Sequence, residues 1–118
     1  MLAHIQFLRM PRSEGVEAYI THQLEDLLEF SPSKKTHFRV WVECINSQIQ
    51  PGKDMFRCSI EVEGLRRKHY YAEKRDENFY IAVNNCVEAI RKMFRREKKI
   101  LRSTQKRSRI RGVSLAAS

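Results

Sequence analysis

No stretch of the 118-residue chain approaches the roughly 18–20 consecutive apolar residues that a bilayer span requires. His4, Gln6 and Arg9 interrupt the segment from Met1 to Met10, so it does not read as the core of a signal peptide. Cysteine is sparse. Cys44, Cys58 and Cys86 are odd in number, widely spaced and without a C-x-x-C pair, which argues against a disulfide framework and a zinc site and for a reducing compartment. A glycine-rich phosphate loop is missing, as are an internal repeat and a linker. His4, His22, His37 and His69 are scattered, and the carboxylates fall where caps and solvated faces put them. The chain therefore reads as one small, basic, cytoplasmic domain that is not an enzyme and carries neither a metal nor a cofactor. Apolar residues make up 42% of it, enough for a packed core and too many for wholesale disorder.

What the chain has in excess is positive charge, a formal net of +9, and that charge is segregated. Residues 1–63 hold 7 basic and 9 acidic side chains, a balance of −2; residues 64–118 hold 16 and 5, a balance of +11. A one-sided positive field attracts polyanions by releasing their counterions and steering encounter. Nucleic acid and an anionic membrane surface are the candidates, set against a merely solvated basic helix and tail.

The hydrophobic pattern predicts the order β-α-β-β-β-α. His4 to Met10 reads as a first strand ended by Pro11. Ser13 is placed to cap a helix in which Val16, Tyr19, Ile20, Leu24, Leu27 and Leu28 recur at spacings of three and four, as far as Phe30. Its outer face carries Glu17, Glu25, Asp26 and Glu29. Phe38, Val40, Val42 and Cys44 alternate with polar residues. So do Phe56, Cys58, Ile60 and Val62 after the turn at Pro51–Asp54, as in an antiparallel sheet covered on one side. Gly64 makes the next turn, and Leu65 to Glu73 reads as the fourth strand, with Tyr70 and Ala72 toward the core. Arg67, His69 and Tyr71 then share the open face with Trp41, where an aromatic patch is expected, either as cross-strand packing or as a platform for bases. Asp76 is the expected cap of a second helix, on which Phe79, Val83, Val87, Ile90, Phe94 and Leu101 keep the helical period. The fold class is α+β: a four-stranded mixed sheet with two helices packed on one face, the first crossover making strands one and two parallel neighbours. The folded domain covers residues 1–102, and residues 103–118 read as a flexible basic tail.

On the second helix, Arg91, Arg95, Lys98 and Arg102 fall at i, i+4, i+7 and i+11, with Lys92, Arg96 and Lys99 in a second stripe beside them. Like charges at i, i+4 repel by a few tenths of a kcal/mol per pair, a strain that a polyanion relieves. Arg66, Arg67 and Lys68 form a second cluster where the fourth strand opens. Because the apolar side of the helix is needed for the core, a membrane surface is the weakest of the partners, which favours nucleic acid. The cysteines fall on apolar-face positions and read as core residues.

The run from Ala72 to Asn84, an alanine in the last strand, an acidic turn, then an aromatic, a small and an aliphatic residue opening the second helix, resembles the strand-to-helix signature of the ribosome hibernation factors, once called sigma-54 modulation proteins. The first strand and helix, from Ile5 to Leu24 with Ser13 as cap, are similar to those of the same family, and the likeness spans about residues 4–102. The resemblance implies a domain similar in shape to double-stranded RNA-binding domains. It also implies a translation inhibitor that occupies the channel for mRNA and for the A- and P-site tRNAs on the small ribosomal subunit, in stress or stationary phase. Carried over by position, the contacts to ribosomal RNA are Arg91, Lys92, Arg95, Arg96, Lys98 and Lys99, the residues that the charge pattern singles out. Many relatives carry basic residues on the first helix; this chain departs from them with Glu25, Asp26 and Glu29. The partner so implied is the small ribosomal subunit, not DNA, with a monomer off the ribosome. The alternatives are a generic module for structured RNA and a regulator docking on an acidic protein surface.

Overall fold

The computed structural model describes residues 2–31, 35–46, 54–64 and 69–97. Strand β1 spans Leu2–Leu8, helix α1 Glu14–Leu28, β2 His37–Asn46, β3 Asp54–Glu63 and β4 His69–Asp76. Helix α2 is described over residues 79–97. The four strands form one sheet in the order β1-β2-β3-β4. The first pair is parallel and the other two antiparallel, so the sheet is mixed, as expected from the pattern. The tail expected at residues 103–118 lies outside the described residues.

Alternation builds the core. Phe38, Val40 and Val42 of β2 and Cys58, Ile60 and Val62 of β3 are fully or almost fully buried on one face. Ile20, Leu24 and Leu27 of α1 and Val83, Cys86, Val87, Ile90 and Phe94 of α2 join them in one cluster. The Tyr70 ring meets Phe94 edge-on at 5.2 Å, which closes the β4 side of that core. All three cysteines are free thiols. Cys86 Sγ donates to the carbonyl of Ala72 at 3.3 Å. A hydrogen bond with Cys86 and burial push the Cys58 thiol far above the usual range.

Four boundaries differ from the sequence reading. β1 ends at Leu8 and not at Met10, because Arg9 adopts a positive φ of 55° that turns the chain out of the sheet before Pro11. α1 begins as expected, with Ser13 Oγ accepting from the backbone N–H of Val16 at 3.3 Å. It stops at Leu28, two residues short of Phe30, where Phe30 and Ser31 close single turns onto the carbonyls of Leu27 and Leu28. β4 runs three residues past Glu73, since Lys74, Arg75 and Asp76 pair with Cys58, Arg57 and Phe56 of β3. Its expected start at Leu65 falls outside the described residues. The cap of α2 is Asn78, not Asp76. Asn78 Oδ1 accepts from the backbone N–H of Tyr80 at 3.0 Å and Ile81 at 3.4 Å, and its carbonyl accepts from Ala82. Asp76 instead accepts from the N–H of Asn78 and holds the turn that leads in.

Asn78→Ala is expected to cost about 1 kcal/mol, read as a lower midpoint in urea unfolding, since it deletes the acceptor of two helix N–H groups. Mass spectrometry after iodoacetamide treatment is expected to leave Cys58 and Cys86 unmodified in the native protein and to find both alkylated in denaturant.

Candidate nucleic-acid interface

Helix α2 buries Val83, Cys86, Val87, Ile90 and Phe94 against the sheet. With that stripe turned inward, residues at other positions of each helical turn must face solvent or a neighbouring element. Lys92, Arg95 and Arg96 are exposed, while Arg91 is half-buried. The guanidinium of Arg91 lies 5.0 Å from the centre of the Phe30 ring and that of Arg95 5.6 Å from the same ring. Both are within cation–π range, so Phe30, just past the end of α1, anchors that stripe of α2. Arg91 Nη1 donates to Glu88 Oε1 at 2.9 Å, and its Nε is buried without a hydrogen-bond partner.

The two basic stripes therefore face different neighbours. Arg91 and Arg95 lean toward α1. Between the helices on that side lies a pocket of about 290 Å³ lined by Tyr19, Gln23, Asn84, Val87, Glu88 and Arg91. Tyr19 bridges the helices there, its hydroxyl donating to Asn84 Oδ1 and its ring packing edge-on against Tyr80. Lys92 and Arg96 line a groove of about 500 Å³ on the opposite flank of α2, together with Lys74 from β4. Of the other residues expected at the interface, Lys98, Lys99, Arg66, Arg67 and Lys68 lie outside the described residues. Lys74 was not singled out from the sequence. Its signal is parity: it shares the side of β4 that carries Tyr70 and Ala72, and that side faces α2.

The remaining surfaces carry charge of a different kind. Described α1 has no lysine or arginine; it carries Glu14, Glu17, Glu25 and Asp26, with Glu29 just beyond. Arg12 clamps Glu17 through two hydrogen bonds of 3.0 and 3.1 Å. On the open face of the sheet, Arg57 bridges Glu43 and Glu73, Arg75 reaches the same Glu73, and Arg9 reaches Glu43. Glu43 is only 9% exposed, so this network neutralises charge within the face. Trp41 lies opposite Ser59, whose own partner on β4 is Glu73, and Tyr71 lies opposite Glu61. The expected aromatic patch does not form: Trp41 and Tyr71 sit on β2 and β4 with β3 between them, and no ring pair joins them among the described residues.

No group of three or more histidine, cysteine or carboxylate side chains is arranged to hold a metal ion among the described residues, and no described helix is long and apolar enough to cross a membrane. An exposed row of cations is suited to hold phosphates.

Residues 3–102 match the family model described as Sigma 54 modulation protein / S30EA ribosomal protein. The fold is similar to the crystal structure of the N-terminal domain of Thermus thermophilus Protein Y, with a TM-score of 0.61 and 16% identity over 81% of this chain and 98% of that one. At that identity the likeness is one of fold. Comparison with individual curated protein sequences gives no match.

Glu43→Ala is expected to cost about 1–3 kcal/mol in denaturant unfolding, because it strips a largely buried acceptor from Arg57. Arg39→Ala, on the same face but with an exposed side chain, is expected to stay within about 0.5 kcal/mol of the parent.

Proposed function

The chain belongs to the Sigma 54 modulation protein / S30EA ribosomal protein family, the family of the ribosome hibernation factors, and from that premise we propose that it binds the small ribosomal subunit through α2. It acts in the cytoplasm by steric occlusion, not by chemistry, lying in the channel for mRNA and the A- and P-site tRNAs and keeping idle ribosomes from initiating under stress or in stationary phase. The observation that carries the reading is the exposed set Lys92, Arg95 and Arg96 on the solvent side of α2, beside an acidic α1 and a self-neutralised sheet face. To phosphate, that set offers cations with no carboxylate partner among the described residues, and so gains from counterion release. A folded RNA cleft is recognised by shape together with backbone contacts, and a rigid helix seated on a sheet meets that need.

The test is co-sedimentation with purified small subunits at low salt. The wild type is expected in the subunit fraction. The variant with Arg91, Lys92, Arg95 and Arg96 all changed to Ala is expected to stay at the top of the gradient, with affinity lower by at least about a hundredfold. Subunits already holding mRNA and initiator tRNA are expected to exclude the wild type. Wild-type protein at the top of the gradient, or equal preference for free duplex RNA, overturns the reading.

A further inference from the structure

The groove between β4 and α2 has chemistry that a bare phosphate patch lacks. One wall is basic: Lys74 from the strand, Lys92 and Arg96 from the helix. All three side chains are exposed, and none is paired with a carboxylate among the described residues. The carboxylate that does line the groove, Glu88, is engaged by Arg91 from the far side of the helix. The floor is apolar, made by Ala89 and Met93, both partly buried against the core. Asn85, exposed at one end, adds an amide with both donor and acceptor. The volume of about 500 Å³ lies within the range of small-ligand clefts.

We propose that this groove binds a segment of single-stranded RNA, with Lys74, Lys92 and Arg96 on consecutive phosphates and one unstacked base laid on Met93 and Ala89 beside Asn85. The proposal rests on the ribosomal reading above and names within it the strand chemistry and the face of α2 that carries it. Lys92 and Arg96, at i and i+4, stand roughly 5–6 Å apart at their Cβ atoms, and Lys74 extends the row across to the strand, so the row answers a run of phosphates and not a single anion. A polarizable thioether is a good surface for a base plane, and an asparagine amide pairs with base edges. A duplex hides its base planes in the stack, and so leaves the apolar floor uncovered. The other basic stripe is less available for such work. Arg91 is held by Glu88 and Phe30, and Arg95 lies over the same ring.

The test uses the full chain and a short single-stranded oligouridylate, with uridine monophosphate and a short RNA duplex as competitors, followed by fluorescence anisotropy and by amide chemical shifts. The oligonucleotide is expected to shift the amides of Lys74, Ala89, Lys92, Met93 and Arg96. Lys74→Ala is expected to weaken its binding about tenfold and Arg39→Ala, on the far face, by less than twofold. Monophosphate or duplex competing as well as the single strand overturns the proposal, as do shifts confined to the α1 side of α2 or an unchanged Lys74→Ala. Small subunits separate the two readings. Wild-type sedimentation with Lys74→Ala unaltered in oligonucleotide binding removes the groove and leaves the ribosomal function. Oligonucleotide in the groove without sedimentation removes the ribosomal function and leaves the groove.

Discussion

The burial of one apolar stripe on α2 governs the remaining surface. Val83, Val87, Ile90 and Phe94 are each at most 2% exposed, and burying four such side chains outweighs any preference of the basic ones. Once the stripe is seated on the sheet, the helix cannot rotate. Lys92 and Arg96 are then committed to the β4 flank, and Arg91 and Arg95 to the α1 flank. A helix free to roll would present its cations as an average; a seated one presents them at fixed positions, which recognition of a folded RNA surface requires.

Charge is sorted onto three surfaces with different consequences. The sheet face compensates much of its own charge through Arg57, Glu43, Glu73 and Arg75, which weakens its pull on a polyanion. Helix α1 is acidic and repels phosphate. Helix α2 attracts it. An attractive face beside a repulsive one selects orientation as well as partner, because a chain that approaches RNA with α1 forward is turned away.

Much of the fold is legible in the sequence because two periods alternate cleanly. Phe38 to Val42 and Cys58 to Val62 keep a period of two, and the helix cores keep three and four, so element order, core residues and the mixed sheet follow. The ends are less legible because partners set them. Lys74, Arg75 and Asp76 look like a turn, yet β3 offers three more residues to pair with. Asp76 and Asn78 are both good caps two positions apart, and only the path of the chain chooses Asn78. Parity places Trp41 and Tyr71 on one face, but their distance depends on strand order, which parity does not contain. The same limit hides the groove. Lys74 and Lys92 come together only when an edge strand and a helix dock, and no local pattern announces that.

If phosphate contacts from α2 supply the affinity for the small subunit, that affinity must fall with salt. With about six phosphates neutralised, log K against log salt concentration is predicted to be linear with a slope of roughly −4 to −5. A slope near zero, with tight binding retained at high salt, would rule out phosphate contacts as the source of that affinity.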